Sequence, residues 1–94
     1  MKEESTVKQT FVVKNKMGVH ARPAAMIVQV ANKYPKINVQ IEKNKEKVNG
    51  KSIMGVMMLA AAEGSKLHFT VDGQDGEKFL LDVEALFERK FEET

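Results

Sequence analysis

The sequence predicts an α+β domain of two layers, one sheet covered on one face by helices. Three observations predict it. Several short segments alternate apolar and polar residues, most clearly Leu67, Phe69 and Val71 against His68, Thr70 and Asp72, so one sheet face is dry and the other wet. Two longer segments repeat their apolar residues at helical spacing: Ala24, Ile27, Val28, Ala31 and Tyr34 in one, Leu80, Val83, Leu86 and Phe87 in the other. The elements run strand, helix, strand, strand, helix, strand, helix, an order satisfied most simply by a single sheet with helices on one side.

Each element has its own warrant. Thr6 to Lys14 is rich in Thr, Val and Phe, and Val7, Gln9, Phe11 and Val13 share one face, which reads as a strand. Asn15 to Gly18 breaks it. Ala21 to Tyr34 follows the helical period, and Pro35 ends that helix. Ile37, Val39 and Ile41 alternate with Asn38, Gln40 and Glu42 as a half-buried strand. "KNKEK", residues 43 to 47, is a solvated turn, and Lys47 to Asn49 is a short, weak strand interrupted by Gly50. Ser52 precedes a short helix from Ile53 to Leu59, with Gly64 placed as its C-cap glycine. After the Leu67–Val71 strand, Asp75 is placed as an N-cap, Glu77 suits the helix dipole, and the last helix runs to about Phe91.

The bulk numbers exclude several function classes. A length of 94 residues predicts one domain, 1–94, and 43% hydrophobic with 30% charged residues fills a modest core. There is no cysteine, so disulfide and thiolate chemistry are excluded, as suits a reducing cytoplasm. The polar start "MKEESTVKQ" lacks the apolar core of a signal peptide, and Ile53 to Ala62 is too short to span a bilayer. A net charge of +2 does not call for nucleic acid or an acidic membrane. An RNA-reading sheet needs aromatics on its open face, whereas the strand aromatics Phe11 and Phe69 fall on the buried one. Two histidines without cysteine or HxxxH spacing make a weak metal case, and "DGQDG", residues 72 to 76, lacks the lysine of a phosphate loop.

The chemistry concentrates in "MGVHARPAA", residues 17 to 25. Pro23 fits a first helical turn, because its missing N–H is not needed there. His20 then sits at the helix N-terminus, beside unpaired amides and the positive dipole end, which is a ready anion site. Arg22 adds a planar cation able to hold two phosphate oxygens, and Gly18 permits close backbone approach. An imidazole is also a good nucleophile toward phosphorus. On the residues alone, a histidine that merely caps a helix beside a surface arginine is the simpler reading. Likewise, a serine before an apolar helix is an N-cap, and a methionine stripe is more often core than interface.

"GVHARPAA" together with "KSIMGVMMLAA" resembles the HPr family, the histidine-containing phosphocarriers of the bacterial phosphoenolpyruvate-dependent sugar phosphotransferase system. The resemblance covers Thr6 to about Phe91. It implies an open-faced β-sandwich, a four-stranded antiparallel sheet with three helices on one face (βαββαβα). It implies phosphorylation of His20 on Nδ1, with Arg22 and the first-turn backbone from Ala21 through Pro23, beside Gly18, holding the phosphoryl group. The chain is then a phosphoryl carrier with a phosphohistidine intermediate rather than a stand-alone enzyme, and it needs no cofactor and no metal. Enzyme I is the implied donor and a histidine on an EIIA protein the acceptor. Ser52 is the position that an HPr kinase/phosphorylase modifies in some relatives, and Ile53, Met54 and Met57 correspond to the patch that partners grip. Met17 stands where other members carry Asn or Ser. A cytoplasmic monomer suits a carrier that must leave one partner for the next. The nearest alternative is a nitrogen-related or regulatory branch of the same family that moves no sugar.

Overall fold

A computed structural model describes residues 5–93. Residues 1–4, on which part of the signal-peptide reading falls, lie outside the described residues, as does residue 94. The elements among the described residues are β1 (Thr6–Val12), α1 (Ala21–Asn32), β2 (Asn38–Lys43), β3 (Glu46–Asn49), α2 (Ile53–Met58), β4 (Lys66–Asp72) and α3 (Gly76–Glu88), then a single turn, Lys90–Glu92.

The four strands form one antiparallel sheet in the order β1-β4-β2-β3. Val7 faces Val71 across the first pair, Ile41 faces Phe69 across the second, and Lys43 faces Glu46 beside the hairpin. That hairpin turns through Asn44 and Lys45, with φ of 52° and 72°, the double left-handed pair that matches strand twist.

Alternation decides which face is covered. Phe11, Val39, Ile41, Leu67, Phe69 and Val71 are buried, while Lys8, Thr10 and His68 are exposed. Thr10 and His68 are paired across the open face through Oγ1 and Nδ1 at 2.7 Å. The buried face meets Ala24, Ile27, Val28 and Ala31 of α1 and Phe79, Leu80, Val83, Leu86 and Phe87 of α3 in one core. Phe87 stacks on Phe11 at 5.0 Å and meets Phe69 edge-on at 6.1 Å, geometries that add to the area buried. The two long helices are also tied by Tyr34, whose hydroxyl donates to Asp82 at 2.5 Å. That bond, with help from desolvation, raises the Tyr34 pKa above the ordinary tyrosine value.

The open-faced architecture is as expected; several boundaries differ. β1 stops at Val12 rather than Lys14, because Val13 pairs with the turn at Gly64 and Ser65 instead of a strand. α1 stops at Asn32, two residues before Tyr34. The amides of Lys33 and Tyr34 turn back to the carbonyls of Val30 and Ala31, tightening the last turn ahead of Pro35. β2 begins at Asn38, although Ile37 is buried. Gly64 is not the C-cap of α2. The cap is Leu59, and the left-handed residue that follows is Ala60, at φ 49°; Gly64 instead turns the chain into β4, its amide on the Val13 carbonyl. Asp75 occupies the N-cap of α3 but caps with its backbone alone, its carbonyl accepting from Phe79 N. α3 ends at Glu88, and Phe91 enters the core from the separate turn beyond it.

Candidate functional site

The site is built on the loop between β1 and α1. Asn15 is buried, and its Nδ2 donates to the Gly18 carbonyl at 2.7 Å. Gly18 takes φ 73°, and a Cβ there would lie 2.4 Å from the carbonyl oxygen of Ala61, so this close approach requires glycine. The next amide, Val19 N, donates to that same oxygen at 2.8 Å. The loop is thus pinned to the chain segment that follows α2.

His20 follows as the N-cap of α1, with extended backbone and an exposed side chain. Its carbonyl accepts from Ala24 N at 2.9 Å, while its ring makes no capping hydrogen bond. His20 thus caps the helix as the simpler reading has it, but through its backbone alone, which leaves the ring uncommitted. Of the first-turn positions, Pro23 has no N–H, which leaves the amides of Ala21 and Arg22 without an intrahelical partner. Pro23 is buried and anchors the turn; Ala21 and Arg22 are exposed. A cleft of about 200 Å³ is lined on this side by Asn15, Met17, His20, Arg22 and Pro23. An exposed nucleophilic ring, free amides at a positive helix end and a guanidinium at one cleft can receive an anionic, transferable group.

α2 sits beside this loop. Ser52 caps it, Oγ accepting from Gly55 N at 2.9 Å. Val56 and Leu59 carry its burial. Ile53, Met54, Met57 and Met58 are all exposed, Met54 at 70%. The helix thus turns out four apolar side chains, against the reading of its methionine stripe as core. Met57 shares a shallow groove with Met17, Val19 and His20, so the apolar surface is continuous with the histidine.

His20, Arg22 and Pro23 line one cleft, with Gly18 and Ala21 beside them in the chain, Met57 adjacent across the second groove, and Ser52, Ile53 and Met54 farther along α2. Sequence reasoning missed Asn15 and residues 90–93, which line the same cleft. Glu93 reaches this loop across 77 positions, its Oε2 accepting from Lys16 N, and no local pattern announces such a contact.

Comparison with known proteins agrees. Residues 7–89 match the family described as PTS HPr component phosphorylation site. The phosphocarrier protein HPr of Treponema pallidum is 47% identical over 87 residues, covering 93% of this chain and 98% of that protein. A crystal structure of HPr-C-His from Thermoanaerobacter tengcongensis superposes with a TM-score of 0.86 at 41% identity, covering 94% and 98% of the two chains. A structure described as an HPr dimer from the same organism gives 0.71 at 41% identity, covering 97% and 98%.

Proposed function

The chain belongs to the HPr family of phosphotransferase-system phosphocarriers, and from that premise we propose that His20 accepts a phosphoryl group from phosphoenolpyruvate-charged enzyme I and passes it to a histidine of an EIIA protein. The observation that carries the proposal is the exposed His20 ring, uncommitted to capping, at the start of α1 beside Arg22. A ring nitrogen, Nδ1 in this reading, attacks phosphorus. The new N–P bond forms as the bond between phosphorus and the donor group of enzyme I breaks, and the electron pair of that bond returns to the donor group. Arg22 and the amides of Ala21 and Arg22 meet the charge on the transferring oxygens. Gly18 and Pro23 hold that backbone in place. Transfer to EIIA repeats the exchange in the opposite sense.

The test is incubation of the chain with purified enzyme I and labelled phosphoenolpyruvate, then with a panel of EIIA proteins. Acid-labile, alkali-stable label that moves to an EIIA supports the proposal; acid-stable label places the phosphate elsewhere. Label that reaches only nitrogen-branch acceptors replaces sugar uptake with the regulatory reading.

Arg22→Ala is expected to lower the transfer rate by about a hundredfold, the effect of losing one preorganised donor, while docking to enzyme I weakens far less. Equal losses in rate and affinity would make Arg22 an interface residue only.

Ile53, Met54 and Met57 form the partner patch in this proposal. Methionine suits a surface that must fit several partners. Ser52 is the regulatory position, acted on by an HPr kinase/phosphorylase. Ser52→Asp sets a charge beside that patch, where docking desolvates it. It is expected to weaken productive contact with enzyme I by about tenfold, or roughly 1.4 kcal/mol. Unchanged kinetics leave Ser52 as a helix cap. Among the described residues no helix is long and apolar enough to cross a membrane, and the proposal places the carrier in the cytoplasm. It works there as a monomer; the dimeric relative makes the opposite case, and sedimentation of this chain decides between them.

A further inference from the structure

One wall of the His20 cleft comes from the far end of the chain. Lys90, Phe91, Glu92 and Glu93 line it together with His20 and Arg22. Two attachments hold that segment. Phe91 is buried, its ring 4.9 Å from Phe87. Glu93 Oε2 accepts a 2.7 Å hydrogen bond from the amide of Lys16, in the loop that carries His20. Across these attachments Lys90, Phe91 and Glu92 hold φ of 54°, 53° and 53°. Three consecutive non-glycine residues in the left-handed region are strained, and such a run persists only where the surroundings enforce it.

The formal charges that line the cleft balance, Arg22 and Lys90 against Glu92 and Glu93, and Glu92 Oε2 also lies 3.7 Å from the Arg89 guanidinium outside the lining. A phosphoryl group adds about −1.5 to −2, which leaves the lining anionic.

We infer that the turn at residues 90–93 is an acidic strap that opposes phosphate on His20. The inference rests on the reading of His20 as the phosphoryl acceptor. The incoming phosphoryl group repels both carboxylates across the cleft. It loosens the Glu93–Lys16 tie, and the strained turn relaxes. Glu92 and Glu93 thereby slow charging of the carrier and raise the tendency of the charged form to give its group away.

The test uses the full chain as wild type, as E92Q/E93Q, and as a charge-matched control, E46Q/E77Q, altered at exposed positions of β3 and α3. Glutamine at position 93 still offers an oxygen to Lys16 N, so charge changes while the tie is retained. Two phosphoryl donors are used. One is enzyme I with phosphoenolpyruvate. The other is phosphoramidate, in which attack by the imidazole on phosphorus expels ammonia. E92Q/E93Q is expected to be phosphorylated on His20 about fivefold faster than the control by either donor at low salt. The phosphoramidate gap is expected to close in 1 M salt, where screening acts within about 3 Å. In wild-type protein the Lys16 amide resonance shifts on phosphorylation. Equal rates in the two variants, or a gap that salt does not change, overturn the inference. Labelling by phosphoramidate but not by enzyme I overturns the carrier reading instead, and the phosphoramidate arm still judges the strap.

Discussion

His20→Ala is expected to reduce phosphate incorporation from enzyme I and phosphoenolpyruvate to background while the fold persists. The ring is exposed and makes no capping hydrogen bond, so its removal opens no cavity and orphans no buried partner. The contact that starts α1 runs through the His20 carbonyl to Ala24 N, and alanine retains that carbonyl. The stability change should stay within about 0.5 kcal/mol, as for surface sites generally. Phosphoryl acceptance, in contrast, has no substitute. Neither the guanidinium of Arg22 nor the amides at this helix end can act as a nucleophile at neutral pH. Label counting paired with circular dichroism reads both halves. Full incorporation in a folded His20→Ala protein would sink the assignment of the acceptor.

Gly18→Ala has the largest expected effect on stability. At φ 73° an alanine meets the left-handed penalty, and its Cβ would lie 2.4 Å from a backbone carbonyl that cannot swing aside. Ala61 O is also the acceptor for Val19 N, so moving it away breaks a hydrogen bond in the loop. Left-handed strain of about 1–2 kcal/mol and the cost of a disrupted buried hydrogen bond, about 1–3 kcal/mol, give a loss of roughly 2–5 kcal/mol. In a domain of this size that lowers Tm by about 10–25 °C. Gly64→Ala is the comparison. Its φ is 89°, yet nothing lies within 4 Å of the added Cβ, so it bears the conformational cost alone, about 1–2 kcal/mol. Thermal and urea unfolding of both variants separate the two contributions. Equal losses at the two glycines would mean that the approach to Ala61 adds nothing.

What the sequence disclosed follows the range of the interactions involved. Strand alternation and helix stripes are local, and Leu67, Phe69, Val71, Ile27 and Val83 were placed correctly from them. Ser52 capped as its neighbours implied, because the cap spans only three residues. Asp75 sat in the same kind of position, yet its side chain caps nothing. Gly64 carries the signature of a helix stop but turns the chain six residues past the end of α2, because Ala60 already holds the left-handed position. The missing part of the cleft was invisible for a different reason. Asn15 sits in an unremarkable polar turn, and Glu93 ends a segment whose periodicity points to a continuing helix. Only the tertiary fold brings them to His20.

The hydrogen bond from Val19 N to Ala61 O fixes the distance between the histidine and the methionine-bearing helix. Any molecule that grips Met54 and Met57 therefore finds His20 at one constant offset. On the proposed carrier role, a donor and each acceptor present their own reactive centre at that offset from their own gripping surface. The burden of fit falls on the company this small protein keeps. Gly18 and Ala61 set that offset, the one by admitting the close approach and the other by accepting the bond.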